Sequence, residues 1–146
     1  MAYEPHIPEI ATVIQLTVAP VFMLTAVGTL ISALNIRLGR AVDRRRELEQ
    51  MLPRMTPDEK PSAHQELEYI ARRIKWVYYS IVAAVISGLF ICLLIFGAFV
   101  ASFVRAEMAY TIGATFALGV LALTAALLFF LREVFLAVST PRHIPR

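Results

Sequence analysis

Charged side chains are missing from more than half of this sequence. Ile10–Ile36, Trp76–Val104 and Met108–Leu131 hold no Asp, Glu, Lys or Arg. At 27, 29 and 24 residues, each run exceeds the roughly 20 that cross a hydrocarbon core. Cysteine is nearly absent as well. Cys92 stands alone in the second run, so it has no partner for an intrachain disulfide or a cysteine metal site, and it reads as a small hydrophobe. Histidine avoids the apolar runs: His6, His64 and His143 all lie outside them, so an intramembrane haem or chlorophyll ligand of the imidazole type is lacking. There is no glycine-rich phosphate loop, no His-Glu-x-x-His pair, no Gly-x-Ser-x-Gly elbow and no cluster of metal-ligating residues. These absences lead us to expect no enzyme activity, no metal, no cofactor and no nucleic-acid partner.

What remains is apolar. Hydrophobic residues make up 58% of the 146, against just under half in an ordinary soluble domain. A soluble enzyme, a disordered chain, a disulfide scaffold and a separate globular domain are all poor readings, because the residues outside the three runs are too few and too charged to bury a core. The expectation is a single membrane domain over 1–146, all-α, with spans at about 10–36, 76–104 and 108–131 and a C-terminal tail over 132–146. The first run follows Glu4 and Glu9 and is about twice the length of a signal-peptide core, so it is expected to stay in the mature protein.

Charge sets the orientation. The segment Arg37–Lys75 carries ten of the fourteen basic residues and seven acids, which accounts for the whole formal charge of +3. Adding Arg132, Arg142 and Arg146 places thirteen basic residues on one side, against Arg105 alone on the other. The positive-inside rule then predicts an outside N-terminus and a cytoplasmic C-terminus. Trp76, Tyr78 and Tyr79 would mark the inner end of the second span and Tyr110 the outer start of the third.

Between the first two spans, Arg37–Leu52 consists of good helix formers apart from Gly39, with Leu38, Val42, Leu48 or Glu49, and Leu52 near helical spacing. Pro53, Pro57 and Pro61 interrupt it, and Thr56-Pro-Asp-Glu59 reads as a short capped turn. A second helix is expected from Ser62, with Gln65 completing a capping box, and Leu67, Ile70, Ile74, Val77 and Ile81 form its stripe. The prediction is a cytoplasmic helical hairpin over 37–75, continuous with the first two spans. Glu68 and Arg72 at i,i+4 would add a few tenths of a kcal/mol.

The run from Ile14 through Pro20-Val-Phe-Met-Leu-Thr25 and Gly28 to Asn35-Ile-Arg-Leu-Gly-Arg-Ala-Val-Asp-Arg-Arg-Arg-Glu-Leu-Glu49 resembles the small bacterial membrane proteins grouped as domain-of-unknown-function family 2721. The resemblance covers nearly the whole chain and implies a three-helix protein of the bacterial inner membrane. It implies no reaction. It draws attention to Asn35, Arg37, Arg40, Asp43 and Arg44 without giving them roles.

Polarity within the first span is the clearest candidate site. Thr25, Gly28, Ser32 and Asn35 lie along one face at three-four spacing, with Thr29 beside them. Such a face should meet protein or water and not lipid, either by interhelical packing and hydrogen bonding or by lining a pore. Arg37, Arg40 and Arg44 continue at three-four spacing, as a positive-inside anchor or as a contact for anionic lipid or an acidic partner, with Asp43 placed to neutralise part of them. Ser80, Ala84 and Gly88 on the second span, and Gly113, Ala117, Ala122 and Ala126 on the third, are close-packing signals. The expected function is a non-catalytic membrane protein acting through helix association, as a homo-oligomer or a small accessory subunit of a membrane complex. Its partners are membrane lipids, anionic ones among them, and other membrane chains. The alternative is an oligomeric ion channel lined by the first helix, with Glu9 at its outer mouth and the three arginines at its inner mouth.

Overall fold

The computed structural model describes residues 7–104 and 109–138. His6, Arg105, Arg142, His143 and Arg146, and the side chains of Glu9, Thr12 and Thr17, lie outside the described residues. Three helices make up almost all of what is described: α1 (Ile7–Met51), α2 (Lys60–Val104) and α3 (Ala109–Val138), with a 3-10 turn at Leu52–Arg54 after α1. All three are long and apolar enough to cross a membrane. Long uninterrupted helices follow from such runs, because where water is scarce only internal i to i−4 bonds satisfy the backbone. Pro20 lies inside α1 without ending it.

Helix α1 continues past Gly39 to Met51, as its run of helix formers predicts. Helix α2 begins earlier than expected. Glu59 accepts a hydrogen bond from the Thr56 backbone N–H at 3.1 Å, and the Thr56 carbonyl accepts from the N–H groups of Glu59 and Lys60 at 3.1 and 3.3 Å. The residues Thr56-Pro-Asp-Glu59 therefore form a short capped turn that leads into the helix at Lys60. Ser62 is not the cap: its hydroxyl donates to the Glu59 carbonyl at 2.7 Å, already within the first turn. The expected tail over 132–146 also needs correcting, because α3 carries on through Arg132 and Glu133 to Val138. Glu133 is held by Arg37 and Arg73 and the Leu136 carbonyl by the Tyr69 hydroxyl, so this last stretch of α3 is tied to its neighbours.

The chain forms two compact units, each taking part of every helix. In the first, Met1–Leu30 with Ala84–Thr124, the described core consists of Val27 on α1 and Ala84, Ser87, Ile91 and Leu94 on α2. Gly119 of α3 sits tightly here: a Cβ built on it would lie 3.4 Å from both Ile91 Cγ1 and Phe90 Cβ. The Ser87 hydroxyl donates to the Gly119 carbonyl at 2.7 Å. A side chain reaches another helix's backbone in this way only where small residues let the two approach closely.

In the second unit, Ile31–Ala83 with Ala125–Arg146, α1 and α2 pair as the hairpin. Ala41 and Leu48 pack against Ala63 and Ile70, with Leu52, Met55, Leu67 and Ile74 around them. The expected stripe on α1 is corrected. Leu34, Ala41 and Leu48 are the buried positions, while Leu38 and Val42 are only half-buried. The reason is a period of seven rather than a three-four alternation of large residues. Helix α2 buries Ala63, Ile70, Val77, Ala84 and Ile91 at the same period, with Ser80, Ser87 and Leu94 buried three residues after Val77, Ala84 and Ile91. A strict seven-residue repeat is the pattern of helices packed with a left-handed supercoil, in which alanine at the seam brings backbones close.

Candidate functional site: a buried carboxylate held by two arginines

Helix α3 leaves its charge-free run at Leu131 and places Arg132 and Glu133 on successive positions of the same continuous helix. Glu133 faces inward and is fully buried. Arg37 of α1 donates from Nη1 to its Oε2 at 2.9 Å. Arg73 of α2 donates from Nε and Nη2 to Oε1 at 3.1 and 2.7 Å. Each helix thus contributes one charged group, and both carboxylate oxygens are used. Among the described residues no buried side-chain polar atom lacks a hydrogen-bond partner.

Both arginines keep some contact with the surroundings, with side chains 42% exposed for Arg37 and 29% for Arg73. Arg37 also lies over the Phe130 ring at 5.0 Å from its centroid. The carboxylate is therefore the desolvated member, stabilised by two charge-assisted contacts, and the triad carries one net positive charge. One turn further along, the Tyr69 hydroxyl donates to the carbonyl of Leu136, and one heptad the other way Ser80 donates to the carbonyl of Ala126 at 2.7 Å. The segment of α3 around Glu133 is held by α2 above and below the charge.

This arrangement can fix three helix segments at one level. It has no nucleophile paired with a base, and no group of three or more His, Cys, Asp or Glu able to hold a metal occurs among the described residues. The surrounding ion pairs are surface features. Arg45–Glu49 at 2.8 Å and Arg72–Glu68 at 3.7 Å join exposed side chains four residues apart and contribute little.

The sequence-predicted residues fall differently from their spacing. Arg37, Arg40 and Arg44 do not act as one stripe. Arg37 is committed to Glu133, Arg44 pairs with Glu66 and Glu47 at 2.9 Å each, and Arg40 is exposed without an ion pair among the described residues. Asp43 does not neutralise them; that role falls to Glu47, Glu66 and Glu133. Thr25, Gly28, Thr29, Ser32 and Asn35 are all exposed. Thr25 and Thr29 turn their hydroxyls back onto the α1 carbonyls of Val21 and Thr25, at 3.4 and 2.9 Å, and a Cβ on Gly28 would meet nothing within 4 Å. Among the described residues this face is not packed within the chain.

Glu133 and Arg73 were not legible as a pair from local spacing, but a signal existed. Arg73, Ser80 and Ser87 recur every seven residues on α2, and Gly119, Ala126 and Glu133 do so on α3. Reading the two ladders in opposite directions matches Ser87 with Gly119, Ser80 with Ala126 and Arg73 with Glu133.

The model of a family described as Protein of unknown function (DUF2721) matches residues 17–143. No curated protein and no solved structure matches the chain.

Proposed function

The chain belongs to the DUF2721 family, and we propose that it is a multi-pass protein of the bacterial cytoplasmic membrane that works by helix association and not by catalysis. In this reading the N-terminus is outside, the hairpin and the C-terminus are cytoplasmic, and the protein acts as a homo-oligomer or as an accessory subunit on a larger membrane complex. The observation that carries it is the exposed polar face of α1, Thr25, Gly28, Thr29, Ser32 and Asn35, on a helix apolar enough to cross a membrane. Amide and hydroxyl groups turned to hydrocarbon are unfavourable, and a glycine among them favours close approach of another helix. Burial supports the same view. Only 17%, 28% and 11% of the apolar windows of α1, α2 and α3 are buried within the chain.

A pore lined by that face is the alternative. Arg37 and Arg44 are engaged by carboxylates, so Arg40 alone of the three is left to charge an inner mouth or to meet an anionic partner. Association without conduction is the better reading. A native mass measurement of the full chain in mild detergent tests it, with a defined multiple of 16.3 kDa or a co-purifying membrane subunit expected. A strictly monomeric species, unchanged when Ser32 and Asn35 are replaced by leucine, would overturn it. Orientation is checked in a Cys92→Ala background. A cysteine at position 2 should label from outside and one at position 56 should not.

A further inference from the structure

The cationic side chains of the second unit do not all have carboxylates. Arg37, Arg44, Arg45, Arg72 and Arg73 do. Lys75 and Arg132 have none among the described residues, and each rests instead on an aromatic ring. Arg132 Cζ lies 4.4 Å from the centroid of Trp76, and Lys75 Nζ 5.9 Å from that of Tyr79. The two rings are not separate features. Trp76, Tyr79 and Phe129 contact one another with centroids 5.9–6.1 Å apart, so a three-ring cluster from α2 and α3 carries one cation on Trp76 and another on Tyr79. Both cations are exposed, as is Tyr79. Glu133, the carboxylate next to Arg132 in sequence, is turned away and held by Arg37 and Arg73.

We propose that Lys75 and Arg132, with Trp76, Tyr79 and Phe129 beneath them, form a binding site for the headgroup of an anionic phospholipid. This rests on the membrane reading of the chain. Three features select that ligand. The site offers two positive charges with no counter-ion among the described residues, which fits a phosphate bearing one or two negative charges. The rings are amphipathic or apolar and stand where the apolar run of α2 begins and that of α3 ends, the depth at which aromatic side chains meet lipid headgroups. Beside the cations the surface turns apolar, with Val82 on α2 and Leu128 on α3 exposed to receive the start of an acyl chain. Cation–ring contact also holds each charge without neutralising it, so the charges are positioned before the phosphate arrives.

The buried triad contributes indirectly. It takes up Glu133, Arg37 and Arg73 among themselves, on a different face of α3 from Arg132, and so separates charge used for folding from charge left for binding.

The test uses the full chain purified in mild detergent, with native mass spectrometry counting retained phosphatidylglycerol against phosphatidylcholine after incubation with equal amounts of each. Wild type should retain phosphatidylglycerol preferentially. Lys75→Gln and Arg132→Gln should each lower that preference about five-fold, and the double variant about twenty-five-fold, from the order of 1 kcal/mol that each cation contributes near an anionic surface. Arg40→Gln, which removes an exposed unpaired cation with no ring contact, should change it less than two-fold. Unchanged preference in the double variant overturns the site. An equal loss from Arg40→Gln also overturns it, because the effect would then be a diffuse potential. Thermal unfolding of the double variant within 2 °C of wild type shows that the loss is not one of folding. Extraction of the chain from membranes by alkaline carbonate would instead defeat the membrane reading itself, whereas a chain that stays in the membrane with no lipid preference defeats this site alone.

Discussion

Ser87 and Arg73 stand two heptads apart on α2 and belong to different compact units, and α3 meets them with different chemistry. In one unit Ser87 donates to the backbone carbonyl of Gly119; in the other Arg73 donates to the side-chain carboxylate of Glu133. The first contact needs no particular side chain on α3, only a small one, because every residue carries a carbonyl. The second needs a specific pair of long, opposite charges and tolerates no change at one partner alone. Charges are expensive in hydrocarbon, and the ionic version lies beyond the charge-free runs, where Arg37 and Arg73 stay partly exposed. The hydroxyl version suits the runs themselves.

The comparison is broken most severely at Glu133. Glu133→Ala leaves two arginines without their shared partner and should destabilise the chain by about 3 kcal/mol, toward the low end for a broken buried pair because both arginines can rehydrate. Chemical unfolding in detergent measures it. Arg37→Gln should cost less than Arg73→Gln, since Arg73 supplies two of the three hydrogen bonds. If the triad serves only as a fastener, the triple change Arg37→Met, Arg73→Met and Glu133→Leu should recover most of the loss, as apolar replacements of buried ion networks often do.

In the other unit size should matter more than polarity. Gly119→Leu should cost roughly 1–3 kcal/mol by overpacking against Ile91 and Phe90. Gly119→Ala should be near neutral, because its Cβ would sit in contact at 3.4 Å without overlap. Ser87→Ala should cost only about 0.6 kcal/mol, the usual worth of a hydroxyl bond between membrane helices. The same unfolding series gives all three values. A Ser87→Ala loss as large as that of Glu133→Ala would erase the distinction between the two units.

The smallest expected effect lies at the turn. Hydrogen bonds from the Thr56 backbone and hydroxyl hold the Glu59 carboxyl below its ordinary range. A carboxylate whose folded-state pKa is depressed stabilises the fold above its unfolded value near 4.5, and that stability is lost as pH falls through the lower, folded value. The protection factor of the Thr56 amide, the unstructured exchange rate divided by the observed rate at the same pH, should therefore fall in the acid range, and in Glu59→Gln it should stay constant over the same pH window.

Much of the helical layout was legible locally. The extension of α1 past Gly39 followed from its helix formers, and the capped turn at Thr56–Glu59 could be read from its residues. Which residues of the hairpin are buried was only half legible. Large apolar residues such as Leu38 and Val42 attract attention, while the seam runs through Ala41 and Ala63, chosen by close approach and not by hydrophobicity. Glu133 was the least legible. An acid just past the end of an apolar run looks like the start of a polar tail, and only two arginines, 96 and 60 residues away in sequence, make it an interior group.

The sequence by itself determined three long helices and the segregation of charge away from their apolar runs. Both follow from local physics, because a charge-free run must satisfy its own backbone and the proline-rich segment after Leu52 must break it. The tertiary structure alone decided that Arg37 is spent on Glu133 while Arg40 stays free, that Lys75 and Arg132 settle on rings, and that the polar face of α1 points away from the other helices. These outcomes depend on which seven-residue ladder faces which. That choice is made by the mutual fit of small residues on three helices, and no single stretch of chain contains it.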